Sequence, residues 1–276
     1  MFKKIALAIS FSPRMEALIC ESKRLKDLFG AELILVHVGE KTATLEENLK
    51  FMLEKHGVDR EKTKILWETG NPAKKIIQAC NQEGVDLLVA GALKTEGFFK
   101  YYLGSIARKI IRKSKCSVLT LIEPLEDPTP FEKVVINGTQ QEQTPYVIQK
   151  GIEWCKLDKA KKVYVVNEIK MYGLQMATAG EGGEGEIAST RRKLVGEEVD
   201  YVENILKTVD KGDLRVNVKI TCGKWAVELA RFATDFNADL LVVGDEGNLG
   251  FFDRLFPHDL EDILSDLPCN LLIIKK

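Results

Sequence analysis

The sequence predicts an α/β protein built from two tandem, open, twisted sheets of mostly parallel strands, each covered by helices on both faces. Three observations predict it. Residues 65 to 123 align without a gap onto residues 218 to 276 at a constant offset of 153. In that alignment Gly70, Asp86, Leu87, Leu88, Val89, Gly91 and Cys116 recur as Gly223, Asp239, Leu240, Leu241, Val242, Gly244 and Cys269. Each half alternates short, almost wholly apolar runs with helical patterns, as strands buried on both faces require. Between the halves, Glu123 to Pro130 (EPLEDPTP) packs three prolines into seven residues, which stops helix and sheet alike. The expected organisation is a first domain over 1–123, a linker over 124–131 and a second domain over 132–276.

In the first half, Lys3 to Ile9 reads as a strand. Ser12 suits a helix cap with Pro13 in the first turn, since proline lacks the amide that would go unpaired there. That helix is expected to run to about Phe29 and stop at Gly30. Leu33 to Val38 reads as the second strand, Leu45 to His56 as the second helix, and Ile65 to Trp67 as part of a third strand. Asn71 and Pro72 start a helix over Ala73 to Glu83, and Leu87 to Ala90 form a buried strand. Ser105 to Lys113 make a last helix and Val118 to Ile122 a last strand. The second half repeats the order, with Thr144 and Pro145 echoing Ser12 and Pro13.

The front of the halves aligns at a smaller offset. The IALAISFS stretch is matched to VVINGT with Ser10 over Asn137, an offset of 127, which leaves 26 extra residues in the second copy. The excess is expected near 170–196, after the Val163 to Val166 strand. There Met176 to Gly185 (MATAGEGGEG) is glycine-rich without apolar periodicity and reads as a mobile surface loop.

Composition narrows the function classes. The chain has 276 residues, 45% of them apolar, and a net charge of −1, so no global attraction to nucleic acid or membrane follows. No apolar run approaches the roughly 20 residues of a membrane span. MFKKIALAIS reads as a first strand and not as a signal peptide. The six cysteines form no C-x-x-C pair and read as free thiols in a reducing cytoplasm. The three histidines, His37, His56 and His258, have no ligand spacing to one another or to cysteine, so no metal site is expected.

In parallel open sheets, ligands bind beyond the carboxyl ends of the strands where strand order reverses. After the fourth strand, Gly91, Lys94, Gly104 and Ser105 lead into a helix. Here the chain resembles the universal stress proteins, whose nucleotide-binding signature at this place is G-x2-G-x9-G-[ST]. The Gly70-Asn71-Pro72 turn and the D-L-L-V strand share the resemblance, which covers nearly all of both halves. It implies tandem Rossmann-like, adenine nucleotide α-hydrolase-like domains and a regulatory protein that binds ATP or AMP, with magnesium accompanying ATP.

Carried over position by position, the first site comprises Ser10, Ser12, Val38, Ala90, Gly91, Lys94, Gly104, Ser105 and Ile106. A degenerate second site comprises Asn137, Gly138, Val166, Val243, Gly244 and Gly247. Neither copy keeps the full signature. Lys94 stands for the middle glycine of the first, and Pro257 and His258 replace the closing Gly-Ser of the second. The family's acidic residue at the end of strand one corresponds to Ser10 and, at the offset of 127, to Asn137.

Charge separates the copies. Residues 91 to 115 carry seven cations against one carboxylate, and residues 244 to 268 carry one cation against seven carboxylates. A polyphosphate is therefore expected to prefer the N-terminal half. Ser105 is equally suited to a plain helix cap, Lys94 to solvent, and His37 to packing at a strand end. No G-x4-GK[ST] loop or nucleophile–base pair is present, so no catalytic residue is assigned, and slow ATP hydrolysis is left open as a property of some relatives. The competing reading is a scaffold that acts through protein–protein contacts. The apolar last strands of the two halves are expected to pair within the chain, because an unpaired edge invites association. A homodimer and a regulatory protein partner are left open.

Overall fold

The computed structural model describes residues 1–94, 101–169, 184–245 and 263–276. These residues fall into two compact units, 1–130 with 270–276, and 131–269.

The first unit holds β1 (Lys4–Ile9), α1 (Met15–Phe29), β2 (Glu32–Val38), α2 (Ala43–Lys55), β3 (Thr63–Glu68), α3 (Pro72–Glu83), β4 (Leu87–Gly91), the short β5 (Leu93–Lys94) and β6 (Tyr101–Tyr102), α4 (Ser105–Lys113) and β7 (Ser117–Leu121). Its sheet has the order β7-β4-β1-β2-β3, all parallel, so strand order reverses between β1 and β4. The chain's final strand, β12 (Asn270–Ile274), pairs antiparallel with β7, Leu272 opposite Leu119, and covers that edge. Asn270 Oδ1 accepts from Ile122 N at 2.9 Å, and Lys275 N donates to Ser117 Oγ at 3.1 Å.

The second unit holds β8 (Lys133–Asn137), α5 (Thr144–Leu157), β9 (Lys162–Ile169), α6 (Glu184–Thr208), β10 (Val216–Cys222), α7 (Trp225–Asp235) and β11 (Leu240–Gly244), with parallel order β10-β9-β8-β11. No helix among the described residues is long and apolar enough to cross a membrane.

Leu87, Leu88 and Val89, like Leu240, Leu241 and Val242, are fully buried, each side chain contributing about 1.5–3 kcal/mol relative to exposure. The aspartate ahead of each run fastens the neighbouring strand. Asp86 accepts from the amides of Lys3 and Lys4 at 2.8 and 3.0 Å, and Asp239 from that of Lys133 at 2.8 Å. Gly70 and Gly223 have φ of +115° and +146°, a backbone that side chains disfavour. After Gly70, Asn71 Oδ1 accepts from Lys74 N at 3.1 Å and Pro72 opens α3, the expected capped start.

The register corrects one alignment. Ile5 lies opposite Leu87 and Val134 opposite Leu240. With Leu87 and Leu240 equivalent at 153, Ile5 is equivalent to Val134, at an offset of 129. Ser10 therefore corresponds to Thr139 and not to Asn137, whose counterpart is Ala8. The same reasoning through β2 and β9 makes His37 the counterpart of Asn167, and Val36, not Val38, that of Val166. Strands buried on both faces carry no alternation that would mark register.

Two element boundaries also differ from expectation. Helix α1 begins at Met15 after Arg14, not at Ser12 and Pro13. Ser12 is held in a turn instead, its amide on Ser10 O at 2.7 Å and its carbonyl accepting from Met15 N at 3.0 Å. In the second unit Pro145 does lie in the first turn of α5. Glu184 and Gly185, expected in the loop, belong to α6, which has 25 residues where α2 has 13. Part of the second copy's excess is thus helix. Its remaining stretch, 170–183, lies outside the described residues.

Candidate functional site

Ser10 and Ser12 are exposed beyond the end of β1, and Val38 is half-buried at the end of β2. Ile9, His37 and Trp67 occupy one row across β1, β2 and β3. The His37 ring packs edge-on against Phe11 and Trp67, centroids 5.0 Å from each, with Nδ1 3.2 Å from Ile9 O. His37 thus packs at the strand end, as its alternative reading had it.

Across the reversal, Ala90 is buried and Gly91 ends β4 opposite Leu121. A Cβ on Gly91 would lie 3.2 Å from Leu18 Cδ1, and one on Gly244 2.7 Å from Val147 Cγ2. Both glycines admit the first helix of their unit against the sheet. Lys94 pairs with Tyr101 in the antiparallel β5–β6 ribbon. Extended backbone suits any residue, which is why the middle glycine of the signature is dispensable here.

Tyr101 donates its hydroxyl to Glu123. Burial first, and then this hydrogen bond to a carboxylate, push the tyrosine up to about 12. Arg14 closes the same corner, its guanidinium bonding Ile122 O at 3.0 Å and Ala92 O.

The ribbon delivers the chain to α4. Gly104 is the N-cap, at φ −64° and ψ 167°, and makes no side-chain cap. Ser105, read above as a potential cap, is instead the first helical residue. It is exposed, and so is Ile106. The first turn of α4 contains no acidic residue, whereas its last turn holds Arg112 and Lys113. The orphan amides of such a turn and the helix dipole favour an anion. A Cβ on Gly104 would lie 2.7 Å from the Leu93 Cδ1 methyl, so glycine here lets Leu93 pack against the helix start.

The corresponding strand ends of the second unit are filled by the protein itself. Thr139 donates through its amide and hydroxyl to Asn137 Oδ1 at 3.1 and 2.8 Å. Gly138 N donates to Val166 O at 2.7 Å, and the Thr144 hydroxyl donates to Thr139 O. Asn167 donates to Glu198 Oε2 at 2.7 Å and accepts from Glu168 N at 2.8 Å. Asn137, Thr139 and Asn167 are all buried. Val243 is fully buried and Gly244 ends β11. Gly247, Pro257 and His258 lie outside the described residues. The Thr139, Asn167 and Glu198 partners leave no signal in the sequence, because they come from three separate segments with no shared spacing.

Glu16, His56 and Glu126 place ligand atoms within 4.8 Å of one another, a grouping that sequence spacing did not show. Glu16 is already engaged, with His56 Nε2 2.6 Å away and Lys55 beside it, and hydrogen bonds from Lys55 and then His56 hold its carboxyl below the usual range.

Residues 1–121 and 131–275 each match the model of the universal stress protein family. A universal stress protein of Thermus aquaticus is 32% identical over 136 residues, 43% of this chain and 98% of that protein. One from Methanocaldococcus jannaschii is 26% identical over 157 residues, 44% of this chain and 95% of its own length. Among solved structures, a functionally unknown protein from Pseudomonas aeruginosa aligns with a TM-score of 0.72 at 16% identity, covering 99% of this chain and 92% of that one. A universal stress protein from Archaeoglobus fulgidus aligns at 0.64 and 16% identity, covering 99% and 98%. Both structural likenesses bear on the fold.

Proposed function

The chain belongs to the universal stress protein family as a tandem two-domain member, and from that premise we propose that it is a regulatory protein whose N-terminal half binds an adenine nucleotide. The observation that carries this reading is the start of α4, where Gly104 leaves the first turn without a side-chain cap and without a carboxylate, next to the strand-order reversal. Ser105 and Ile106 amides would hold phosphate oxygens, and Lys94 would add a cation. Gly91 would let the chain pass close to the ligand. Ser10, Ser12 and the Val38 backbone would face the nucleoside. ATP is the preferred ligand, with magnesium accompanying it.

The cytoplasm is the proposed location. Nucleotide occupancy would alter contacts with a protein partner, and a homodimer is one form those contacts could take. Asn137, Gly138, Val166, Val243, Gly244 and Gly247 would form at most a vestigial second site. The serine at the family's acidic position favours a second reading, a scaffold in which neither half binds nucleotide.

Calorimetric titration of nucleotide-stripped protein with ATP separates these readings. Binding that weakens at least tenfold in Gly104→Asp supports the first. No heat at millimolar ATP leaves the scaffold, and binding indifferent to the substitution moves the site out of the N-terminal half. The aspartate is a good N-cap, so the variant is expected to fold.

A further inference from the structure

A second cleft of the first unit contains none of the residues assigned to nucleotide. It lies between α2 and the edge strand β3 and has a volume of about 240 Å³, suited to a ligand of fragment size. Thr63, Ile65 and Trp67 line it from alternate positions of β3, and Leu49 completes an apolar floor.

Lys41, Lys50 and Arg60 stand around that floor, and Glu46 is the carboxylate among them. Glu46 is shared, 3.2 Å from Lys41 Nζ and 3.9 Å from Arg60 Nη2, and Lys50 Nζ lies 3.7 Å from Glu54 Oε1, so three cations against two carboxylates leave the cleft a net positive charge. Lys41 Nζ also lies 5.9 Å from the centre of the Trp67 ring.

The independent observation is Thr63. It is 5% exposed, and its Oγ1 is buried without a hydrogen-bond partner. Buried hydroxyls are almost always satisfied, and an orphan calls for a reason. Thr63 lines the cationic cleft beside its aromatic wall, with its hydroxyl oxygen closed off from solvent.

We propose that this cleft binds a small organic oxyanion, a ring compound bearing phosphate or carboxylate. The anionic group sits against Lys50 and Arg60, where the Thr63 side chain turns outward to donate its hydroxyl to it, and the ring lies on Leu49, Ile65 and Trp67. Guanidinium and ammonium groups favour such oxyanions through charge-assisted hydrogen bonds.

Titration calorimetry with phenyl phosphate and with benzoate tests this. Binding of either probe with Kd at or below about 1 mM is expected, weakened at least tenfold in the Lys50→Gln, Arg60→Gln double variant and about threefold or more in Thr63→Val. Tighter binding of phenyl phosphate assigns the phosphate class, and tighter binding of benzoate the carboxylate class. Gly104→Asp is expected to leave both affinities unchanged, which keeps this site distinct from the nucleotide reading. The exposed cations and the isosteric valine leave the fold intact, checked by circular dichroism. No heat up to 10 mM of either probe, or an affinity unchanged in either variant, overturns the proposal.

Discussion

The two units end their first strands differently. In the first, Ser10 and Ser12 are exposed and the helix after β4 starts uncapped at Gly104. In the second, Asn137 and Thr139 are buried and hydrogen-bonded to each other, and Asn167 is buried and bonded to Glu198 and to the Glu168 amide. Polar groups that satisfy each other are unavailable to a ligand, and breaking such a network leaves buried donors and acceptors unpaired. The same scaffold has therefore been turned toward stability in one copy, while the other keeps its strand ends accessible.

Removing a network member should show the contrast most strongly. Asn167→Ala is expected to cost about 2–3 kcal/mol in urea unfolding, because Glu198 and the Glu168 amide lose their partner. Ser10→Ala at the open end should change stability by no more than about 0.5 kcal/mol. Equal costs would mean that the two ends are not differently built.

Ser10→Asp restores the acidic residue that the family resemblance places there. ATP affinity by calorimetry should rise about five- to tenfold through a charge-assisted hydrogen bond, whereas Thr139→Asp in the second unit should add no binding. A gain from Thr139→Asp alone would reverse the assignment.

Tyr101→Phe probes the ribbon that leads to Gly104. Loss of the hydroxyl bond to Glu123 should cost about 1 kcal/mol at neutral pH. The folded tyrosine is pushed up to about 12, above its ordinary value. The folded state therefore holds a proton that the unfolded chain releases above about pH 10, so this stabilisation is complete below that pH and is lost as pH rises through the folded value. The phenylalanine variant should lack that part of the alkaline decline. Superimposable pH–stability curves would remove the Tyr101 contact from the ribbon's stability.

Much of the fold was legible in the sequence. Buried strands announced themselves as apolar runs, and Asn71-Pro72 and Gly30 marked helix ends through a cap and left-handed backbone. Register was not legible, because β1 and β8 are apolar on both faces and nothing in them distinguishes an offset of 127 from the 129 that pairing with β4 and β11 imposes. The β5–β6 ribbon escaped because two-residue strands carry no period. Helix α6 reaches back into the glycine-rich stretch because Glu184 and Gly185 are about half a turn joined to a long helical pattern.

At the candidate site, the Gly104-Ser105 helix start was readable from motif spacing. The sealing network around Asn167 and the cleft at Thr63 were not, since each is assembled from segments that meet only on folding.

Amide chemical shifts on titration with ATP test the central asymmetry most directly, because both strand ends report in one sample. Shifts concentrated at Ser10, Gly91, Ser105 and Ile106, with Thr139, Asn167 and Gly244 unmoved, are the expected result. Shifts centred on Thr139, Asn167 and Gly244, with Ser105 and Ile106 silent, would contradict it.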